Sequence, residues 1–453
     1  MITTDVITPV DGSVIARVGF AEAHDVDAAV ERARRALPAW RALAPGTRAR
    51  LLRDFAQAVE DQLDELAALE VRNAGHTIGN ARWEAANVRD LLLYYSAVPE
   101  RLSGLQIPVP GGVDLTFKEP IGVVGVIVPW NFPMPVAAWG FAPALAAGNC
   151  VIVKPAETTP LTALRLAEIA SAAGIPDGVL QVLPGTGAEA GQRLVDHPDV
   201  GKIVFTGSTA VGKRIMAACA SNVKALTLEL GGKNSNVIFG DADLERAAAA
   251  APGAAFDNAG QDCCARSRVL VERSVMERFL ELLEPAVQNF AVGDPFSPQT
   301  AMGPLISQAH HDKVASYVDG AEIAFRGHAP SGPGFWFPPT VLAGVKTTDP
   351  QWNDEIFGPV IAVVPFDDEA EAIELVNQGP YGLSGSLWTR DLSRAFRVTR
   401  AWESGNLSVN SNSSVRYWTP FGGFKQSGLG RELGPDAVDA FTETKNVFIA
   451  TEE

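Results

Sequence analysis

The 453-residue chain is poor in cysteine and histidine, which limits the disulfide and metal chemistry that it can carry. Its four cysteines, at positions 150, 219, 263 and 264, are too few and too clustered for a disulfide framework, and their spacing fits no zinc pattern. The six histidines are scattered, and His310 and His311 fall where the pattern predicts the exposed start of a polar helix. We therefore expect no metal site and a reducing, cytoplasmic location.

The chain also lacks an excess of positive charge and long apolar runs. The net charge is -16, whereas nucleic acids and anionic membrane surfaces attract proteins with a basic footprint. No apolar run approaches the roughly 18 residues of a transmembrane helix, and the first residues lack the basic and then apolar pattern of a signal peptide. The sequence therefore argues against nucleic-acid and membrane partners.

The remaining composition, 47% hydrophobic and 20% charged, is that of a folded globular protein, and 453 residues suffice for two or three domains. The first hundred residues show helical spacing: Asp25 caps a segment that runs through Leu37, and the pattern continues over residues 47–71 and about 80–101. We therefore expect the chain to begin with a group of helices.

From residue 121 onward, short apolar runs alternate with amphipathic helices. Strands are predicted at residues 122–128, 151–153, 179–182, 202–205, 226–228 and 236–239, and helices at 135–146, 160–173, 188–195 and 210–220. A second such unit has strands near Val269 and at 360–364, with helices at 275–290 and 369–376. Continuous Val/Ile strands followed by helices indicate an α/β fold with parallel sheets, which bind ligands at the carboxyl ends of their strands.

Two adjacent cysteines, Cys263 and Cys264, follow Gly260 and precede a β-type run. A cysteine in such a loop is either a nucleophile or a small apolar residue of the core. Glu229, between apolar residues at the end of a predicted strand, is either a desolvated base or a solvated turn residue. The sequence alone leaves both pairs of alternatives open.

Other polar residues also follow predicted strands. Asn131 lies in the stiff turn 129–133. Its side-chain amide can donate hydrogen bonds to a ligand, or the turn only packs on the core. Lys154 and Glu157 suit a ribose or phosphate, or form a solvated charge pair. The segment 205–214 nearly matches a P-loop, but Arg214 stands where Ser or Thr must bind magnesium, so an NTPase is disfavoured.

In combination and in this order, these segments resemble the aldehyde dehydrogenase superfamily, in its hydrolytic, NAD(P)-dependent branch. The likeness extends from about Ile7 to the end of the chain. It implies that Cys263 is the nucleophile, that Glu229 is the general base, and that Asn131 donates to an oxyanion together with the backbone N–H of Cys263. It further implies cofactor contacts from Trp130, Lys154, Glu157, Gly207, Ser208, Leu230, Glu355 and Phe357.

The resemblance also implies an NAD cofactor and an aldehyde substrate. Glu157 suits the two ribose hydroxyls and would repel a 2′-phosphate, although Lys154 partly offsets that repulsion and leaves NADP possible. Asp262, beside the nucleophile, is expected to point away from Cys263. The substrate tunnel is expected to have an apolar, aromatic mouth, formed by Phe132, Trp139, Val415 and Phe421, with Tyr417 and Trp418. No acidic cluster is evident there, which argues against a cationic aminoaldehyde, although an aromatic box could still hold an ammonium group.

By the same resemblance, residues 1–102 and 121–231 form a dinucleotide-binding domain and 232–430 a catalytic domain, each with a Rossmann-like parallel sheet. Residues 103–120 and 431–453 form a small β element for assembly into a homodimer or homotetramer. Two alternatives remain open: a coenzyme-A-acylating aldehyde dehydrogenase, and a catalytically silent relative that only binds nucleotide.

Overall fold

The computed structural model describes residues 2–413 and 415–451, and two largely parallel β-sheets form its centre. Strands are numbered in chain order: β1 (Ile2–Ile7), β2 (Val14–Phe20), β3 (Gln106–Val109), β4 (Gly112–Pro120), β5 (Val123–Ile127), β6 (Cys150–Lys154), β7 (Leu180–Val182), β8 (Val200–Thr206), β9 (Ala225–Glu229), β10 (Ser235–Ile238), β11 (Arg268–Glu272), β12 (Ile323–Arg326), β13 (Thr340–Leu342), β14 (Val360–Phe366), β15 (Ser384–Trp388), β16 (Asn406–Val409), β17 (Gly428–Leu429) and β18 (Thr442–Ala450).

Helices cover both faces of these sheets. They are α1 (Ala23–Arg41), α2 (Pro45–Glu60), α3 (Leu63–Ala74), α4 (Ile78–Ser96), α5 (Pro133–Ala146), α6 (Leu161–Ala172), α7 (Gln192–Asp196), α8 (Thr209–Cys219), α9 (Leu244–Phe256), α10 (Met276–Gln288), α11 (Gln308–Val318), α12 (Pro350–Asn353), α13 (Glu369–Asn377) and α14 (Leu392–Ala401). Within the described ranges, no helix is both long and apolar enough to cross a membrane.

The first sheet has the strand order β17-β9-β8-β5-β6-β7, and all neighbours are parallel except β17. Every residue of β5 and β6 is buried, as their continuous Val/Ile sequences predict for strands that are covered on both faces. The predicted strands 122–128 and 151–153 are therefore confirmed to within a residue or two. The carboxyl ends of β5, β8 and β9 lie side by side at one edge of this sheet.

The second sheet has the order β12-β13-β14-β11-β10-β15-β16, with only the β12–β13 pair antiparallel. The strands predicted near Val269 and at 360–364 are its central neighbours, β11 and β14. The helices predicted at 275–290 and 369–376 correspond to α10 and α13. The prediction of an α/β fold with two parallel-sheet units is confirmed.

The amino-terminal region differs from the prediction in two places. Residues 2–20 form an antiparallel hairpin, β1–β2, and the apolar cluster of Val6, Val18 and Phe20 supports it. The helix expected over 47–71 is two helices, because α2 ends at Glu60 and α3 begins at Leu63. The intervening polar residues, Asp61 and Gln62, interrupt the apolar face that would have continued one helix.

A separate antiparallel sheet, β18-β4-β3, combines the carboxyl-terminal strand with residues 106–120. Nine register pairs join β18 to β4, from Thr442 opposite Pro120 to Ala450 opposite Gly112. Several large apolar side chains of this region are exposed, namely Leu105, Ile107, Phe117, Phe448 and Ile449. The sheet therefore presents an apolar surface to its surroundings.

Candidate active site

A cavity of about 590 Å³ opens where the first sheet meets the second. One wall is built by the residues that end β5, β8 and β9, which is where parallel sheets bind ligands. The opposite wall comes from the segments before β11 and β14 and from the loop before β17. Cys263, Glu229 and Asn131 all line this cavity.

An unusual turn presents Cys263. Asn258, Ala259 and Gly260 have positive φ angles of 49°, 55° and 69°. A Cβ atom at Gly260 would lie 2.2 Å from the carbonyl oxygen of Gly358, so this close approach admits only glycine. Gln261 fastens the turn, because its Oε1 accepts a hydrogen bond from the backbone N–H of Ile306 at 2.8 Å.

Asn131 is held directly against this turn. Its Nδ2 donates to the carbonyl oxygen of Gln261 at 2.9 Å, and its own carbonyl accepts from Nδ2 of Asn258 at 2.8 Å. A side-chain amide has two N–H groups, so one remains for a ligand in the cavity. The amide is thus fixed by the segment that carries Cys263, as an oxyanion donor requires.

Glu229 is the last residue of β9 and is buried. A Cβ atom at Gly422 would lie 2.7 Å from its Oε1, so a bare glycine backbone packs against the carboxyl group. Burial and the negative charge of Glu432 raise the pKa of Glu229 well above its usual range, and the positive charge of Arg431 opposes this in part. Neither Glu432 nor Arg431 was expected from the sequence, because only folding brings β9 next to the loop after β17.

The surroundings of Cys263 disfavour its thiolate form. A hydrogen bond with the Cys264 thiol, burial, and the negative charges of Asp262 and Glu355 raise the pKa of Cys263 well above its usual range. Both cysteines line the cavity, but Cys263 is partly exposed, whereas Cys264 is buried and packs with the core. The two neighbours therefore differ in access to a ligand.

Asp262 does not point away from the thiols, so that expectation was wrong. One carboxylate oxygen of Asp262 and the sulfur atoms of Cys263 and Cys264 lie within 4.8 Å of one another. Its Oδ1 accepts a hydrogen bond from the backbone N–H of Cys264 at 2.8 Å, which draws the side chain back over the turn. Burial raises the pKa of Asp262, while this hydrogen bond and the charge of Arg266 lower it.

The cavity also includes the amino end of α8. Gly207 and Ser208 line it, and the Ser208 hydroxyl caps the helix by accepting from the backbone N–H of Val211 at 3.4 Å. Leu230 lies on the other side of this helix start, so close that a Cβ atom at Gly212 would be 2.5 Å from its Cδ2. Free N–H groups at a helix amino end suit a pyrophosphate, so this part of the cavity fits a dinucleotide.

Lys154 and Glu157, at the carboxyl end of β6, lie beside the cavity rather than in its lining. Lys154 Nζ donates to the carbonyl oxygen of Gly185 at 2.9 Å and is 3.9 Å from Oε1 of Glu157. Oε1 of Glu157 also accepts from the backbone N–H of Gly187 at 2.6 Å, and its side chain remains 42% exposed. A carboxylate held in this way is available to ribose hydroxyls.

At the other end of the cofactor region, Trp130 and Phe357 pack edge to face with ring centroids 5.4 Å apart. His310 completes the group: its ring is 5.3 Å from Trp130, and its Nε2 is 2.7 Å from the carbonyl oxygen of Phe357. The prediction that His310 is exposed was therefore wrong, because α11 turns it toward the cavity. Glu355 accepts from the backbone N–H of Gly232 at 2.8 Å.

The predicted tunnel residues Phe132, Trp139, Val415 and Phe421 line the cavity, and Trp139 packs edge to face on Phe421 at 5.1 Å. Tyr417 and Trp418 lie outside the lining and pack on each other at 4.5 Å. The expectation of a tunnel without acidic residues was wrong, because Asp257 and Asp262 both line the cavity, as does Arg266. The sequence pattern does not predict Asp257 or Arg266 in the tunnel, and it predicts that Asp262 points away from it.

Comparison with known proteins agrees with this geometry. The sequence profile described as the aldehyde dehydrogenase family matches residues 2–447. A phenylacetaldehyde dehydrogenase from Pseudomonas fluorescens is 42% identical over 99% of this chain and 93% of its own length. The crystal structure of PnpE in complex with nicotinamide adenine dinucleotide shares 42% identity at a TM-score of 0.97, covering 100% of this chain and 95% of its own.

A betaine aldehyde dehydrogenase from Staphylococcus aureus in complex with NAD+ shares 36% identity at a TM-score of 0.97, covering 100% of this chain and 92% of its own. The chain therefore belongs to the aldehyde dehydrogenase family. It is an oxidoreductase that converts aldehydes to carboxylic acids. The family match and the similar structures confirm the fold and the enzyme class that the resemblance implied.

Proposed function

We propose that Cys263 is the nucleophile of an NAD-dependent aldehyde oxidation, with Asn131 and Glu229 as its oxyanion donor and general base. The observation that supports this most strongly is their convergence: the three side chains line one cavity together with the amino end of α8. These side chains come from separate segments, at the ends of β5 and β9 and before β11.

In the first half of the reaction, the Cys263 thiol gives up its proton to water in the cavity, and the resulting thiolate attacks the aldehyde carbon to form a thiohemiacetal. Asn131 Nδ2 and the backbone N–H of Cys263 stabilise the negative oxygen that develops. Removal of one such donor typically costs on the order of a hundredfold in rate. NAD, when bound, would supply the acceptor for the hydride that leaves the substrate carbon, and the acyl group would then remain on Cys263 as a thioester.

In the second half, Glu229 removes a proton from the water that attacks the thioester. Burial and the negative charge of Glu432 raise the pKa of Glu229, which makes its carboxylate a stronger base than that of an exposed glutamate. The proton must then leave the buried carboxyl group of Glu229. Glu432 is the neighbouring acid whose negative charge raises the pKa of Glu229. The acid is released and Cys263 is free to react again.

The cofactor NAD fits the residues that surround its expected position. Gly207 and Ser208 at the start of α8 would face the pyrophosphate, with Leu230 beside them. Glu157 and Lys154 would hold the adenosine ribose, and the half-exposed Glu157 carboxylate favours NAD over a cofactor with a 2′-phosphate. Trp130, Glu355 and Phe357 would enclose the nicotinamide ribose and ring.

The coenzyme-A-acylating alternative is disfavoured by Glu229, a base that hydrolysis needs and acyl transfer to a thiol does not. The decisive assay follows NADH formation with a panel of aldehydes, using NAD or NADP, with and without coenzyme A. Free acid formed without coenzyme A supports hydrolysis. NAD binding without NADH formation from any aldehyde would contradict the proposed activity and favour a silent relative.

We further propose the predicted domain division, in which residues 1–102 and 121–231 bind the dinucleotide and 232–430 carry the nucleophile. Residues 103–120 and 431–453 would then serve assembly into a homodimer or homotetramer. The outer strand β18 and the exposed side chains of Phe117, Phe448 and Ile449 support this, because a partner would cover them. Light scattering of wild type and Phe448→Glu tests it, since a monomeric wild type would refute the assembly.

The acidic net charge and free cysteines support a cytoplasmic location.

A further inference from the structure

Asp257 is a carboxylate in the wall of the substrate cavity for which the proposed reaction has no use. Its Oδ1 accepts two hydrogen bonds, from Nδ2 of Asn80 at 2.5 Å and from the backbone N–H of Asn258 at 3.0 Å. Within residues 2–413 and 415–451, no donor reaches its Oδ2. One oxygen therefore fixes the side chain, and the other is available to a ligand.

Aromatic side chains lie near Asp257 on the solvent side of the cavity. Asn80, which anchors Asp257, is one helical turn before Trp83 on α4, so the two side chains are neighbours. Trp83 lines the same cavity and is 51% exposed, which places it at the mouth. Phe132 lines the cavity as well and packs edge to face on His76 at 5.5 Å. A ligand group at Asp257 would thus meet a carboxylate and aromatic rings.

Among the positive charges of this region, Lys313 of the cavity lining acts on Glu355, and His76 and Arg266 already have anionic or carbonyl partners. His76 is the cation whose charge reaches Asp257, but its Nδ1 is 2.5 Å from Oε1 of Glu84 and 4.0 Å from Oε1 of Glu70. Arg266 donates to the carbonyl oxygen of Cys264 and offsets the charge of Asp262. The negative charge at Asp257 is therefore poorly compensated within the protein. Burial and the charge of Asp262 accordingly raise the pKa of Asp257.

We propose that Asp257, with Trp83 beside it, forms a subsite for a positively charged nitrogen on the aldehyde substrate, remote from the carbonyl group that Cys263 attacks. The inference rests on the proposed function, because it takes the cavity to be the aldehyde tunnel. A carboxylate and an indole face attract an ammonium group by ion pairing and by cation–π interaction. The substrate class is then an aminoaldehyde or an alkylammonio aldehyde.

The test uses matched aldehydes that differ only in charge. One series contains ω-(trimethylammonio) aldehydes of two chain lengths and their isosteres with a tert-butyl group; the other contains ω-amino aldehydes and the alkyl aldehydes with methyl in place of ammonium. Wild type should show kcat/KM at least about tenfold higher for the charged member of a pair, as expected for a hydrogen bond or ion pair to a charged group. Equal values for the two members of every pair would overturn the proposal.

Asp257→Asn is the informative variant, because the amide oxygen of Asn can still accept from Asn80 and Asn258. We expect it to lower kcat/KM for charged aldehydes about tenfold or more and to leave the uncharged isosteres within about threefold. Trp83→Leu should lower the charged values by a smaller factor, through loss of the cation–π contact. Asp367→Asn, which removes an exposed charge paired with Arg273, is the control and should change neither series.

The outcomes separate this inference from the proposed function. If uncharged aldehydes are oxidised but charge brings no advantage, the Asp257 subsite is wrong and the aldehyde oxidation stands. If Asp257→Asn lowers both series equally, the residue only supports the Asn258 turn, and the proposal is again overturned. If a neutral hydroxyaldehyde surpasses the charged substrates, the subsite binds an uncharged donor instead of a cation. Absence of NADH formation with any aldehyde would refute the proposed function itself.

Discussion

Two buried groups of carboxylates lie in the first half of the fold, and their surroundings differ. Glu70 and Glu84 enclose His76, and Nδ1 of the imidazole is 2.5 Å from Oε1 of Glu84. Glu229 lines the cavity, Glu432 is close enough for its charge to act on Glu229, and neither carboxyl group has a hydrogen-bond partner among the described residues. The first group thus contains its own cation, whereas the second faces the reaction without one at hydrogen-bond distance.

The difference separates a stabilising role from a catalytic one. A buried charge without a partner destabilises a fold, and the folded protein responds by holding a proton more tightly. That cost is useful only where a proton must be moved, as we propose for Glu229. Near His76, burial alone would lower the imidazole pKa, but the charge and hydrogen bond of Glu84 outweigh it and raise the pKa to about 9.

The largest expected effect comes from Cys263→Ala, which removes the proposed nucleophile and leaves both carboxylate groups in place. We expect aldehyde oxidation to fall by about 10³-fold or more, because no thiohemiacetal forms. NADH formation measures this, and NAD binding by calorimetry should remain within a few-fold of wild type. Activity retained above about one tenth of wild type would show that another group attacks the aldehyde.

Glu229→Gln tests the pair of Glu229 and Glu432, which has no cation at hydrogen-bond distance. Steady-state turnover should fall about 10²-fold, and a burst of NADH should precede it, because the thioester forms faster than it is hydrolysed. The same change should leave stability equal or raise it by about 1 kcal/mol, since it removes an uncompensated buried carboxylate. Loss of the burst together with turnover would instead assign Glu229 to thiol activation.

His76→Gln tests the other group, and here stability should change more than catalysis. Removal of the cation leaves the buried carboxyl group of Glu84 without its partner, so the free energy of unfolding should fall by about 3 kcal/mol at pH 6.5. The raised pKa of His76 sets the pH window: its contribution is full below pH 6.5 and is lost as the pH rises through about 9.

Urea unfolding of wild type and His76→Gln between pH 6.5 and 9 therefore measures a difference that shrinks as the pH rises. A difference that grows toward pH 9 would contradict the assignment, since it would mean that the neutral imidazole is the stabilising form. Glu229→Gln supplies the matched control, because its stability change lacks this dependence on the His76 proton.

The smallest expected effect belongs to Cys264→Ala. Cys264 is buried in the core, and its thiol contributes a hydrogen bond that helps to keep Cys263 protonated. We expect kcat/KM to stay within about threefold and stability to fall by about 1 kcal/mol, the cost of a small cavity. If this variant were inactive and Cys263→Ala were active, the nucleophile assignment would be reversed.

Sequence reasoning was most successful where local pattern and function coincide. Continuous Val/Ile runs gave β5, β6 and β8, and the segments after them contained Asn131, Gly207 and Ser208. It failed where three-dimensional proximity decides. Glu432 is remote in sequence from Glu229, and Asp257, although it directly precedes the Asn258 turn, has no sequence signal that places it in the cavity wall. His310 looked exposed because nothing nearby in the chain predicts its contact with Trp130.

The amino-terminal hairpin escaped prediction for a different reason. Among the side chains of its strands whose burial the structure describes, three are buried, Val6, Val18 and Phe20, so the period-two pattern is short and weak. The break between α2 and α3 was missed for a similar reason, because two polar residues do not by themselves predict the end of a helix.

The most direct test of the central claim is mass spectrometry of Glu229→Gln after rapid quenching with an aldehyde and NAD. We predict that the protein gains the mass of one acyl group within the burst and that fragmentation locates it on Cys263. An acyl group on Cys264, or an unmodified protein after a full burst of NADH, would contradict the assignment of Cys263 as the nucleophile whose thioester Glu229 helps to hydrolyse.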